Sequence, residues 1–220
     1  MVEISESNGI TNRILLALPE STLGRLRSVL VPMVTEKGQI LDRVDGPIEH
    51  MYFVNRGLVS VVKTMRDGRV VEIGTVGVEG VTDPNALFGV ERAVLETMVQ
   101  IPGTAFAIKR DHLRREMARD GILRAMMERY ARFAYSQIAQ TSACNQLHSI
   151  EERCARWLLI AHDSALSDTF TLTHEFLAMM LGVRRVGVTI VANGLKKAGL
   201  IDYVLGNDGR SDAADIAQLA

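Results

Sequence analysis

The clearest hydrophobic pattern in the chain lies between Leu172 and Tyr203. Two sets of apolar residues recur there at the spacing of a buried helix face. The first set is Phe176, Leu177, Met180 and Leu181, and the second is Val188, Val191, Ala192 and Leu195. Thr173 can cap the first helix, Gly182 permits a left-handed turn after it, and Gly199 ends the second. The pattern therefore predicts two short helices joined by a tight turn and followed by a strand.

A different pattern lies between Val31 and about Arg110, where short β-branched and aromatic runs alternate with glycines. Asp67-Gly68 separates two such runs and predicts a hairpin, and Asn55-Arg56-Gly57 predicts another turn. Several short strands at this spacing are typical of an antiparallel sandwich or jelly roll. Helical spacing precedes them between 11 and 30, with a break at Pro19.

A long helical pattern follows the strands, from Gly121 to about Leu147, after a short basic helix predicted at 109–119. The residues of one face recur at spacings of three and four: Leu123, Met127, Tyr130, Ala134, Gln137, Ile138, Thr141 and Cys144. A stripe of this length needs a partner. The partner is either a second copy of the chain in a two-fold coiled coil or the β-rich half of the same chain.

The last third of the chain opens with a helix start signal. Glu152 follows Ser149 by three residues, which is the spacing of a capping box. Trp157 falls on the apolar side of that helix, so we expect it in a core. A short strand is predicted at 170–172, immediately before the two helices described above.

Composition limits the classes of protein that fit. A chain of 220 residues can hold two small domains, and its net charge of −1 gives no global basic signal for nucleic acid. No apolar run approaches the roughly 20 residues of a membrane span, and the N-terminus is polar and acidic, unlike a signal peptide. Two cysteines are too few for a disulfide scaffold. We therefore expect a cytoplasmic protein with no membrane partner.

Motifs for catalysis and metal binding are missing from the sequence. There is no phosphate loop, zinc spacing or nucleophile elbow. Cys144 and His148 are four residues apart on a helix, but two ligands make a poor metal site without others. We therefore predict no enzyme activity, no metal and no identified cofactor.

Arg184 and Arg185 lie at the predicted start of the second helix of the pair. Cations there oppose the helix dipole, so they are misplaced if stability alone is considered. DNA phosphates or guanine edges would explain them, because arginine reads guanine bidentately and such a helix can enter the major groove. The alternative is an ordinary helix hairpin with two solvated arginines.

This stretch resembles the helix-turn-helix of the Crp/Fnr family of bacterial transcription regulators. The matching residues are Leu172-Thr173, Leu177, Leu181-Gly182-Val183, Arg185, Val188 and 195–201. The resemblance implies an α+β fold with an antiparallel β-roll sensor of the cyclic-nucleotide-binding type at 1–118. It implies a dimerisation helix at 119–148, a winged helix-turn-helix domain at 149–220, and a homodimer that binds near-palindromic double-stranded DNA.

The residues expected to contact DNA lie on and around the two helices of this motif. The candidates are Thr173, Arg184, Arg185, Thr189, Lys196 and Lys197. Family members usually carry Ser or Thr at the position of Arg184. Many carry a base-reading Glu at the position of Val186 and an Arg at that of Ile190. Of that set this chain keeps Arg185, so the operator sequence cannot be carried over.

The family's basic hairpin wing is expected after Ile201. The chain continues there as DYVLGNDGRSDAADIAQLA, in which 206–209 can turn but no second β run is evident. The four Asp residues of this tail against one Arg repel phosphate. The wing is therefore the doubtful part of the predicted fold.

Nucleotide-binding members of the family hold the ribose with a Gly-Glu pair and the phosphate with an Arg followed by Ser or Thr. Glu79 can match the ribose residue, but Val78 precedes it. Arg92-Ala93 or Ala93-Val94 stands at the phosphate pair, and a cyclic phosphate needs a charge and several donors together. Glu79 and Arg92 are the candidate effector-binding residues, and binding of cyclic AMP is not expected.

Together these features predict a homodimeric, sequence-specific DNA-binding transcription regulator, controlled by an unknown small-molecule effector in the β-roll, with RNA polymerase as a further candidate partner. The alternative is a ligand-sensing protein that has lost DNA binding and acts through protein contacts. The acidic tail and the residues at 186 and 190 favour that alternative.

Overall fold

The computed structural model describes residues 9–205 and 214–219. Its first half is an antiparallel β-roll that two short helices precede. The helices are α1 (Arg13–Leu16) and α2 (Glu20–Arg27). The strands are β1 (Val31–Thr35), β2 (Ile40–Asp42), β3 (His50–Thr64), β4 (Val70–Val76) and β5 (Glu96–Lys109), with a 3₁₀ turn at Pro84–Phe88. They pair in the order β1-β5-β3-β4, with β2 also on β5, which confirms the predicted roll.

The two glycine turns predicted in the roll have different outcomes. Asp67-Gly68 forms the β3–β4 hairpin, with Gly68 at a φ of 82°. The turn predicted at Asn55-Arg56-Gly57 is wrong, because β3 runs unbroken through it and only the register against β5 shifts. Gly57 has a φ of 93°, and a Cβ added there would lie 2.4 Å from the carbonyl oxygen of Ile101. This glycine therefore forms a bulge that bends the strand.

Two helices leave the roll, α3 (Arg110–Arg119) and α4 (Gly121–Leu147). Asp120 separates them and caps α4, because its carboxylate accepts hydrogen bonds from the first backbone N–H groups of that helix. Bonds from the Thr22 hydroxyl and the Leu123 backbone lower the pKa of Asp120 to about 2. The break between the helices is thus anchored to the N-terminal helices of the roll.

The face of α4 singled out by its hydrophobic spacing turns toward the chain's own roll. Leu123, Met127 and Tyr130 are buried there in one core with residues of β3 and β5. Tyr135 lies on the neighbouring face and is 75% exposed, and Ile138, in the second half of the predicted stripe, is 36% exposed. The first half of the predicted stripe is therefore satisfied within one chain, and the apolar surface left for a partner lies beside it.

The C-terminal half is a small helical domain with a three-stranded sheet. Its elements are α5 (Ile150–Ala165), β6 (Thr169–Leu172), α6 (His174–Leu181), α7 (Arg185–Lys197), β7 (Ile201–Leu205) and β8 (Ala214–Leu219). The capping box at the start of α5 is confirmed. Glu152 N–H donates to Ser149 Oγ at 3.2 Å, and Ser149 N–H donates to Glu152 Oε2 at 2.8 Å.

The expectation that no second β run follows Ile201 is wrong. Ala214–Leu219 forms β8, which pairs antiparallel with both β6 and β7. Its alanine and aspartate residues have low intrinsic β-propensity, so no local signal marks it. Pairing on both edges supplies the stability that the local sequence lacks, and the fold has the strands of a wing.

The two halves share one apolar core and a buried polar contact. Leu58, Val62 and Ile101 of the roll pack in the same cluster as residues of α5, α6 and α7. Glu72 of β4 lies in this contact and accepts hydrogen bonds from Trp157 Nε1, at 3.0 Å, and from the Ser60 hydroxyl. Burial raises the pKa of Glu72 to about 7, against the effect of these hydrogen bonds. The helical domain therefore docks on the roll through a carboxyl group that titrates near neutral pH.

None of the helices in the described part of the chain combines the length and apolar character that crossing a membrane requires.

Candidate nucleic-acid interface

Local sequence signals build the turn between α6 and α7. The Thr173 hydroxyl caps α6 by accepting the N–H of Phe176 at 3.1 Å. At the other end Gly182 takes the left-handed conformation, with a φ of 63°, and Val183 N–H reaches back to the carbonyl of Ala178 at 3.0 Å. This closure ends α6 sharply and starts α7 from Arg184, which confirms the predicted pair of helices.

The inner face of α7 holds the second helix against the first. Val188, Val191 and Ala192 are buried in the domain core. Thr189 also faces inward in part, because its hydroxyl lies 3.2 Å from His174 Nδ1 and donates to the carbonyl of Arg185. Burial lowers the pKa of His174, and nearby Arg185 lowers it further. Thr189 was predicted as a backbone contact, and the structure engages its hydroxyl within the domain.

The outer face of α7 is opposite to that core. Val186 is 70% exposed and Ile190 is 64% exposed, and Asn193 and Lys197 continue the same line along the helix. Arg184 is exposed at the N-cap position, where its side chain makes no capping hydrogen bond, and Arg185 is half-buried in the first turn. The face therefore has cations at both ends and branched aliphatic side chains between them.

The C-terminal end of α7 is fixed by a Gly closure and an ion pair. Gly199 has a φ of 73°, and Leu200 N–H donates to the carbonyl of Leu195 at 3.0 Å. Lys196 Nζ lies 2.6 Å from Asp202 Oδ1 in a surface pair. Lys196 and Lys197 were both predicted as phosphate contacts. The structure joins Lys196 to β7 and leaves Lys197 exposed.

The three strands of the wing sheet place β8 between β6 and β7. The turn predicted at 206–209 lies outside the described residues, as do two of the four Asp residues of the tail. Asp202 and Asp215 lie on β7 and β8, so some of the tail's negative charge belongs to the wing strands themselves.

A cavity of 230 Å³ lies between β4, the 3₁₀ turn and α4. Aliphatic and aromatic groups dominate its lining, among them Val76, Phe88, Leu95, Tyr135 and Ile138. Asp83 is also in the wall, and burial together with the negative charge of Asp42 raises its pKa to about 6. Among the described residues that line the cavity there is no Lys or Arg. Sequence reasoning missed this cavity, because its wall is assembled from five separate segments of the chain.

Glu79 and Arg92, the two candidate effector-binding residues, lie away from this cavity. Glu79 folds over its own loop, where its carboxylate accepts the N–H of Gly77 at 2.9 Å. Arg92 is exposed and donates to the carbonyl of Asp45 at 2.6 Å. Neither belongs to the described lining of the cavity, so the structure does not bring these two side chains to it.

Within the residues that the structure describes, no three His, Cys, Asp or Glu side chains gather as metal ligands. Cys144 is buried and its sulfur lies 3.3 Å from Gln140 Nε2, while α4 ends before His148.

Family models and solved structures match both halves of the chain. Residues 32–120 match the cyclic nucleotide-binding domain, and residues 152–220 match the Crp-like helix-turn-helix domain. No curated protein matches the sequence significantly.

Three solved structures show the similarity in fold. FixK2 from Bradyrhizobium japonicum is 19% identical, with 87% of this chain and 93% of that chain covered and a TM-score of 0.67. The c-di-GMP-responsive global regulator CLP from Xanthomonas campestris is 14% identical, with coverages of 92% and 100% and a TM-score of 0.68. A CRP-family transcriptional regulator from Thermus thermophilus is 20% identical, with coverages of 86% and 92% and a TM-score of 0.66.

Proposed function

The chain belongs to the Crp/Fnr family of bacterial transcription regulators, and on that basis we propose that it binds a two-fold-symmetric DNA site as a homodimer. The observation that carries the proposal is the outer face of α7. It is exposed along its length, has cations at both ends, and belongs to the second helix of a helix-turn-helix. Such a helix fits the major groove of B-form DNA, with its first turns at the base edges.

Phosphate is the partner that makes the cations at the start of α7 favourable. Arg184 and Arg185 add positive charge where the helix dipole is already positive. Two phosphates flanking the major groove would neutralise both the side chains and the helix end. Thr173 and Lys197 lie at the ends of the two helices, where we assign them contacts to the same backbone. Thr189 and Lys196 would first have to leave their partners within the domain.

The dimer contact is proposed along the exposed face of α4. Ala131, Tyr135, Ile138 and Ser142 follow one another at spacings of four, three and four along that face. The side chains are apolar or small, and burial of Tyr135 and Ile138 would remove them from water. Two copies related by a two-fold axis there would hold two α7 helices apart by a fixed distance, as a symmetric operator requires.

The cavity beside α4 is the proposed effector site. A cyclic phosphate would meet the Asp83 carboxyl in a wall whose described residues offer no cation. We therefore propose a small uncharged or cationic effector rather than cyclic AMP or cyclic di-GMP. Because Tyr135 and Ile138 line this cavity and also lie on the proposed dimer face, an occupant would change how the two copies pack.

DNA as the partner implies a cytoplasmic location, and RNA polymerase is the partner that would convert binding into regulation.

Selection of sites from random duplex DNA, followed by salt titration of the enriched site, tests the proposed function. We expect a two-fold-symmetric site with half-sites about ten base pairs apart and an affinity that falls steeply with salt. Sedimentation at micromolar concentration should give a dimer. Absence of any enriched site, with or without cell extract as a source of effector, would favour the alternative of a ligand sensor acting through protein contacts, which the acidic tail also favours.

Calorimetric titration tests the effector class separately. Cyclic AMP and cyclic di-GMP should give no heat of binding to the wild-type dimer. Saturable binding of either nucleotide, abolished by Leu95→Ala in the cavity wall, would overturn the effector assignment and leave the DNA-binding proposal standing.

A further inference from the structure

The outer face of α7 carries two aliphatic side chains that contacts with phosphate would not use. Val186 and Ile190 are four residues apart, so their side chains stand above one another on the side of the helix opposite to Val188 and Val191. They are 70% and 64% exposed. Branched aliphatic side chains in the two turns that enter the groove indicate a partner with apolar groups at matching positions.

The apolar group on a base edge in the major groove is the C5-methyl of thymine. The other groups there are hydrogen-bond donors and acceptors, which valine and isoleucine cannot satisfy. The first turns of a recognition helix contact base edges, and Val186 and Ile190 occupy the second and sixth positions of α7. Their position therefore matches the methyl groups rather than the sugar-phosphate backbone.

We propose that Val186 and Ile190 read the methyl groups of two thymines in each half-site, an inference that rests on the proposed function. Four residues of helix rise by about 6 Å. Successive base pairs are about 3.4 Å apart. The two methyl groups therefore lie about two base pairs apart, on either strand. Arg185 lies beside them in the first turn and takes the neighbouring guanine.

Charge around the face distinguishes DNA from a protein partner. Arg184 is exposed at the N-cap of α7, and Lys197 is exposed in line with Ile190 at the other end of the helix. A protein partner that covered Val186 and Ile190 would also need acidic groups opposite the two cations. In the major groove the phosphates of both strands flank the base edges, so one partner satisfies the whole face.

Deoxyuridine replaces thymidine in the test, because it removes the methyl group and keeps every hydrogen-bonding group of the base. The duplex is the site enriched by selection, with each thymine replaced singly in one half-site. We expect two replacements, about two base pairs apart, to raise the Kd of the wild-type protein. Each of these replacements removes one buried methyl group, which should raise the Kd about fourfold.

Two variants assign the methyl groups to side chains. Val186→Ala should bind the parent site more weakly and lose its sensitivity at one of the two positions, and Ile190→Ala should do so at the other. Alanine keeps the helix, since both side chains are exposed and alanine is the best helix former. Leu159→Ala, which shortens an exposed aliphatic side chain on α5, is the matched control and should keep the full pattern of uracil sensitivity.

The possible outcomes distinguish a failure of this inference from a failure of the proposed function. If the wild-type protein binds its selected site and no uracil replacement changes the Kd, the methyl readout is wrong and the regulator proposal stands. The same holds if Val186→Ala and Ile190→Ala keep the wild-type pattern, because the sensitivity then arises elsewhere. If no site can be selected, both proposals fail together. Loss of a protein partner on the double substitution, with uracil sensitivity unchanged, would assign the face to that protein.

Discussion

The buried carboxyl of Glu72 makes the contact between the roll and the helical domain sensitive to pH. Its pKa is raised from 4.5 to about 7 by burial, whereas the unfolded chain ionises it near 4.5. The native state therefore holds a proton between these values that the unfolded state has lost. The stability due to this group is fully present below pH 4.5 and is lost as pH rises through 7.

The magnitude follows from the shift. A difference of roughly 2.5 pKa units at 1.36 kcal/mol each corresponds to about 3 kcal/mol of unfolding free energy. Glu72→Gln removes the titration and keeps the geometry. A glutamine Oε1 can accept from Trp157, and its Nε2 can donate to the Ser60 oxygen. We therefore expect the variant to gain about 3 kcal/mol relative to wild type between pH 4.5 and pH 8.

Urea unfolding at fixed protein concentration measures this difference. Trp157 is the single tryptophan of the chain and donates its N–H to Glu72, so its fluorescence reports the contact directly. Curves for wild type and variant at half-unit steps of pH are subtracted, which removes the titration of every other group. Glu128→Gln, at an exposed carboxylate on α4, is the matched control and should follow wild type. A wild-type-to-variant difference that is equal at pH 4.5 and pH 8 would falsify the reasoning.

Four further predictions each concern a single side chain. Arg185→Ala should lose about 1–3 kcal/mol of specific DNA binding, and unchanged affinity for the selected site would remove that residue from base readout. Ser149→Ala breaks the capping box and should lower the free energy of unfolding by about 1 kcal/mol, which thermal unfolding would detect. Leu123→Ala should lower the free energy of unfolding by about 2–5 kcal/mol, because the Leu123 side chain of α4 is fully buried against the roll. Tyr135→Ala should instead weaken the dimer in sedimentation, and a dimer of unchanged affinity would contradict the proposed seam.

Several elements could be predicted from the sequence because their signals are local. The capping box at Ser149, the closure at Gly182 and the hairpin at Asp67-Gly68 each depend on residues within one turn of one another. The same is true of the apolar stripe that sets the inner face of α7. Since backbone conformation and neighbouring side chains decide these features, the residues themselves specify them.

Other features depended on contacts between distant segments. The residues around Gly57 have the composition of a turn, yet β5 pairs with both sides of them and makes them a bulge. Ala214–Leu219 has little preference for a strand, and two neighbouring strands give it one. The stripe on α4 indicated that a partner exists, but periodicity carries no information on which surface that partner presents.

Short-range patterns in the chain were enough to locate the ends of most helices and to show which family it resembles, because those properties depend on neighbouring residues. Packing decided which polar groups become chemically unusual. Glu72 and Asp83 are ordinary acidic residues in the sequence, and their raised pKa values arise because the folded chain removes them from water. The exposure of Val186 and Ile190 likewise follows from how α7 docks on α6, since burial is a property of the assembled core rather than of any one segment.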